Sequence, residues 1–131
     1  MDYWWTTKIK NTRFRDKLTK AEVILSALEF TELRIISKET KGGKPGPEAS
    51  FFKIRGSELQ QEITKLTLDA VGHHGLPYQP EYLKPGSNET PLSASYAVNA
   101  APKYFNYRKT TIYGGSNEIQ KNILSKMVLG L

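Results

Sequence analysis

The strongest constraint on this chain is an apolar repeat of helical period that glycine and proline never interrupt. From Asp16 to about Ser37, Leu18, Ala21, Leu25, Leu28 and Ile35 follow one another at intervals of three, four, three and seven. Those intervals put all five on one face of a helix. Lys41 to Pro47 then supplies glycines and prolines in a run, the composition of a loop. Proline at the first helical position loses no needed hydrogen bond, so Pro47 suits the start of a second helix. That helix is expected to run to Val71, with Phe52, Leu59, Ile63, Leu66 and Ala70 as its buried stripe. Gly56 lies inside it at a cost of ~1 kcal/mol relative to alanine, and close helix packing is the expected reason. Gly72-His73-His74-Gly75 closes the helix. Residues 76–94, with Pro77, Pro80, Pro85 and Pro91, read as a long loop. A third helix falls between Ser93 and Ile112, opened or kinked by Pro102. A fourth runs from Asn117 to Val128, with Ile119, Ile123 and Met127 on one stripe. No segment alternates as a strand would. The expected class is all-α, an antiparallel four-helix bundle.

Composition narrows the chemistry. The chain has 131 residues, no cysteine and two histidines. Disulfides, thiolate metal sites and a cysteine nucleophile are excluded. No apolar run reaches the ~20 residues of a membrane span. The first five residues, Met1 to Trp5, lack the pattern of a signal peptide, so the expected compartment is the cytoplasm. Residues 1–15 form a basic and aromatic lead-in that includes Trp4 and Trp5, and residues 16–131 form the helical domain. The net charge of +6 favours anionic partners. A basic bundle that binds nucleic acid is one such reading. It ranks low, because no recognised nucleic-acid motif accompanies the charge.

The richest local chemistry lies in Tyr113-Gly114-Gly115-Ser116-Asn117-Glu118. Ser116 is a good helix N-cap. The two glycines allow a ligand to approach the backbone. Free N–H groups at a helix N-terminus attract anions, but the Glu118 carboxylate competes for that positive end. It is better suited to accept from a donor such as a ribose hydroxyl. The turn therefore suits the edge of a nucleotide more than its phosphate. The same residues also describe an ordinary turn and cap. His73 and His74 are chain neighbours whose side chains are expected to diverge, so they make a poor metal pair. Glu29 and Glu32 share a helix face and form a candidate acid/base pair. Glu62 and Lys65 form a candidate surface ion pair.

Beyond their physics, these residues carry a resemblance. Ile112-Tyr-Gly-Gly-Ser-Asn-Glu-Ile-Gln-Lys-Asn-Ile-Leu-Ser-Lys-Met-Val-Leu-Gly-Leu131 resembles the C-terminal signature of acyl-CoA dehydrogenases. Phe52-Lys-Ile-Arg-Gly-Ser-Glu-Leu-Gln-Gln61 and Lys103-Tyr-Phe-Asn-Tyr-Arg-Lys109 are similar to earlier segments of the same domain. The resemblance covers about Asp16 to Leu131 in consistent order.

The resemblance implies a flavoenzyme with a helical, a β and a C-terminal bundle domain, using FAD to oxidise acyl-CoA to trans-2-enoyl-CoA. It implies electron-transferring flavoprotein as the usual acceptor and a homo-oligomer centred on the bundles. Only the last domain is matched, without a counterpart for its first helix or for the flavin-contacting Arg-x-x-Phe-Gly segment that follows. The chain is thus expected to act as the C-terminal part of a dehydrogenase or as a split subunit, inactive alone. The place where many members carry a catalytic glutamate is Gly114, which has no side chain, so no catalytic residue is assigned. Ser116 and Glu118 match positions near the FAD of a neighbouring subunit. Gly72 matches a glycine of the family's flavin-side turn, although Asp69 and His73 depart from that turn's pattern.

Overall fold

A computed structural model describes residues 8–42 and 46–130. The expectations for Trp4 and Trp5 lie outside the described residues. Among the described residues there is no strand, and helices account for every regular element. Residues 8–10 are helical, and after Asn11 the α-helices among the described residues follow in order: α1 (Thr12–Thr40), α2 (Glu48–Val71), α3 (Ala100–Asn106) and α4 (Asn117–Leu124). Short 3-10 turns occupy Gly72–Gly75, Ser95–Ala97 and Tyr107–Thr111, and a π turn, Ser125–Leu129, follows α4.

α1 starts four residues earlier than its apolar repeat shows. The cause is a cap: the Asn11 side-chain oxygen accepts from the Phe14 backbone N–H at 3.1 Å, satisfying a donor that a helix start leaves free. α2 starts at Glu48, directly after Pro47. Gly72 ends it with φ +55°, a left-handed conformation natural to glycine. The third helix is the least regular. Pro102 stands in the first turn of α3, where its missing N–H is harmless, and the chain tightens into the 3-10 turn from Tyr107.

The chain packs as two compact units, one built from residues up to Leu18 with Gln61–Arg108, the other from Thr19–Gln60 with Lys109 onward. In the first, Lys17 near the start of α1 pairs with Asp69 near the end of α2 at 3.8 Å. In the second, Lys38 near the end of α1 pairs with Glu48 at the start of α2 at 3.5 Å. Each unit thus joins one end of α1 to the opposite end of α2. These exposed pairs report direction more than stability, since each contributes ~1 kcal/mol or less. Glu62 and Lys65 do not pair; the short-range pair on α2 is Arg55 with Glu58.

The core of the first unit is made of small side chains. Val71, Ala97 and Ala100 are buried together, with Leu68 and Ala94 packed against them. Val98 and Leu66 are buried in the same unit. The core of the second unit is mixed: Ala21, Ile54 and Leu59 are buried, and so are the polar Ser50, Ser57, Thr110 and Asn117.

Several expected core positions lie at the surface instead. Leu25 is 52% exposed and Ile63 42% exposed. On α1 the inward face runs through Phe14, Leu18, Ala21, Ile24, Leu28, Thr31 and Ile35, so the repeat passes through Ile24 rather than Leu25. On α2 Leu59 and Leu66 are buried as expected, and beside them a second inward stripe runs through Ser50, Ile54, Ser57, Gln61, Thr64, Leu68 and Val71, in which polar residues stand among apolar ones. The α4 stripe of Ile119, Ile123 and Met127 is exposed along its length. Gly56 is not a packing glycine, because no atom lies within 4 Å of the place a Cβ would take.

Candidate functional site

The candidate site belongs to the second unit and is built on the start of α4. Ser116, in extended conformation, caps the helix: its hydroxyl accepts from the Ile119 backbone N–H at 3.4 Å. Glu118 sits in the first turn with its side chain turned back. Its own backbone N–H, and then the Ser116 hydroxyl, hold the carboxyl below the usual carboxylate range. That carboxylate is charged, solvent-facing and free to accept from a further donor. It also occupies the positive end of the helix, where a bare phosphate would otherwise settle.

The two glycines before the cap behave differently. Gly114 has φ +67° and nothing within 4 Å of a Cβ position. Its backbone is open to close approach. At Gly115 the Gln120 side-chain nitrogen lies 2.7 Å from where a Cβ would stand. That nitrogen donates to the Gly114 carbonyl at 3.2 Å. The ligand space expected above both glycines thus exists only above Gly114. Where a catalytic glutamate is expected by resemblance, Gly114 offers open space and no group that titrates.

The next residue holds the turn from beneath. Asn117 is 6% exposed. Its side-chain oxygen accepts from Lys53 Nζ at 2.9 Å and from Ser57 Oγ at 3.2 Å. Ser57 Oγ also lies 2.9 Å from the Ile54 carbonyl, and the Thr110 hydroxyl reaches the Ser57 carbonyl at 3.5 Å. Sequence reasoning singled out Ser116 and Glu118 and passed over Asn117 between them. A signal existed: an asparagine directly after an N-cap serine already satisfies no cap of its own, so its amide is free for a partner elsewhere.

Gly72, the third candidate cofactor residue, lies in the first unit. It has φ +55° and nothing within 4 Å of a Cβ position, so its backbone is open as well. The neighbouring histidines do not diverge. Their rings pack with centroids 4.2 Å apart, and His74 Nδ1 meets Ser93 Oγ at 2.8 Å. Among the described residues no group of three or more potential ligands could hold a metal. Glu32 lines a cavity of about 320 Å³ with Ile35, Ile36 and Phe52. No described helix is long and apolar enough to cross a membrane.

Residues 7–129 match the family described as Acyl-CoA dehydrogenase, C-terminal domain. No curated protein and no solved structure matches the chain.

Proposed function

The chain belongs to the acyl-CoA dehydrogenase family through its C-terminal domain, and from that premise we propose that it is the FAD-contacting and oligomerising part of an enzyme that oxidises acyl-CoA to trans-2-enoyl-CoA. The observation that carries this reading is the α4 start: a serine cap, an open glycine and an exposed charged carboxylate on one turn. The residues fit a flavin nucleotide at its hydroxyl edge. Glu118 accepts from a ribose hydroxyl, the Ser116 hydroxyl contributes beside it, and Gly114 admits the ligand to the backbone. Gly72 offers a second stretch of open backbone. When bound, FAD accepts the hydride that leaves the acyl β-carbon. The α-proton requires a base, and Gly114 cannot be one. The base therefore comes from the remaining domains or a partner subunit, which also complete the acyl-CoA pocket and the docking of electron-transferring flavoprotein. A cytoplasmic setting goes with this reading, since it needs no disulfide.

The purified chain is expected to show no flavin absorbance band and no acyl-CoA turnover with an artificial electron acceptor. Added FAD is expected to shift the amide resonances of residues 114–119. Turnover by the chain alone would overturn the assignment of the base to another part, and unmoved resonances would overturn the flavin contact.

A second reading is a helical assembly module without catalysis. Its support is the apolar surface of the second unit, where Val23, Phe30 and Leu33 of α1 and Ile119 and Met127 of the α4 segment are all more than half exposed. Exposed apolar surface of this kind marks association. Light scattering is expected to give a dimer or larger species, and a monomer at high concentration counts against assembly.

A further inference from the structure

Asn117 presents an unusual choice at the candidate site. It stands directly between Ser116 and Glu118, yet its side chain points away from solvent and is 6% exposed. A buried amide is costly unless its hydrogen bonds are made. Here its oxygen meets two groups of α2: the Lys53 ammonium donates from 2.9 Å, and Ser57 Oγ lies at 3.2 Å, its single proton shared with the Ile54 carbonyl at 2.9 Å. One of the two is charged, and charge-assisted bonds are the stronger kind.

We propose that Lys53 and Ser57 are positioning residues, which hold the α4 start through Asn117 and thereby aim Ser116 and Glu118 at the flavin nucleotide. The aim rests on the flavin reading above; the holding does not. The first turn of α4 has few bonds of its own in that direction. The Ser116 hydroxyl accepts one from the Ile119 N–H, and Gln120 ties back to Gly114. Neither reaches α2. The lysine–asparagine–serine clasp spans 64 and 60 residues of sequence and fastens the turn to a separate helix. The Lys53 ammonium has a second effect. Its charge adds the smallest of the effects that lower the Glu118 carboxyl, after the backbone N–H, the Ser116 hydroxyl and the Lys121 charge. One side chain thus acts on both the placement and the charge of the candidate ligand group.

The test uses the full chain with Lys53→Met, Ser57→Ala and Lys53→Arg, each checked for unchanged helix content by circular dichroism. Hydrogen exchange of the Ile119 amide reads the cap, and NMR titration of the Glu118 carboxyl reads its setting. Lys53→Met is expected to speed Ile119 exchange roughly fivefold to tenfold, the loss of about one hydrogen bond. It is also expected to raise the Glu118 titration toward the ordinary carboxylate range. Ser57→Ala moves exchange in the same direction, and Lys53→Arg restores the wild-type behaviour. Exchange and titration that stay at wild-type values in both Lys53→Met and Ser57→Ala overturn the clasp. A loss of fold without local change at Ile119 and Glu118 in the milder Ser57→Ala overturns it too. FAD titration separates the two ideas. If FAD shifts nothing in the wild-type chain, the flavin reading falls and exchange still decides the clasp. If FAD binds wild type and Lys53→Met equally, the flavin reading stands and the aiming role falls. A roughly fivefold weaker FAD response in Lys53→Met supports both.

Discussion

Leu66→Ala is expected to destabilise the protein by about 2–5 kcal/mol, measured as a lower urea midpoint with an unchanged slope. Leu66 is 4% exposed, and it is the largest aliphatic side chain buried in the first unit. Among the described residues of that unit the other buried apolar side chains are valines and alanines, too small to fill the space it leaves. Deleting a buried side chain costs the lost transfer energy plus the cavity that remains. Domains of this size have only ~5–15 kcal/mol in total. The substitution therefore removes a large share of the stability while touching no candidate site residue. A change under ~1 kcal/mol would show that the position collapses freely, a behaviour outside the usual range for buried leucine.

Gly75→Ala is expected to cost about 1–3 kcal/mol by the opposite route, crowding. Gly75 is buried in the same unit. An added Cβ would stand 2.7 Å from Val71 Cγ2, 3.2 Å from Leu68 Cδ1 and 3.5 Å from the Ala100 methyl. Val71 is β-branched and closes α2, so its side chain has few rotamers in which to retreat. The glycine is thus a close-approach position, where the chain turning out of α2 passes the helix it has just left. Thermal unfolding of Gly75→Ala against wild type reads the cost. A neutral or stabilising result would mean that the Leu68–Val71–Ala100 packing yields by several tenths of an ångström without penalty. The two substitutions act on one small core from opposite sides.

Much of the architecture was legible in the sequence because glycine and proline act locally. Pro47, Gly72 and the pair before Ser116 bound their helices where expected, and Pro102 fell in the first turn of a helix. The Ser116 cap also followed from residue type and spacing alone. Burial was less legible. An apolar search over α2 found the buried Leu59 and Leu66 and the half-buried Phe52 and Ala70, but it also chose Ile63, which is exposed, and passed over Ser57 and Gln61 on the inward face. Those polar residues face inward because partners far away in sequence satisfy them. Ser57 meets Asn117, and Gln61 donates to the carbonyls of Tyr107 and Arg108. No window of neighbouring residues contains that information. The same limit hid Lys53 and Asn117, whose roles arise only when α2 and α4 are side by side. The α4 stripe shows the converse case: helical period finds an apolar face but does not say whether this chain covers it.

The polar inward stripe of α2 also bears on how the helix can move. An apolar stripe tolerates sliding, because one aliphatic contact replaces another when a helix shifts by a turn of about 5.4 Å. A stripe of donors does not. Gln61 reads the carbonyls of Tyr107 and Arg108, and Arg108 Nη2 returns a bond to the Gln61 carbonyl at 2.8 Å. Ser57 and Lys53 read a single amide oxygen. In the first unit a slip of α2 would strand the Gln61 bonds, and in the second it would strand those to Asn117. Within each unit, then, donors and acceptors set the axial position of that unit's own stretch of α2, and the buried Leu59 and Leu66 add adhesion that alone would not choose a register.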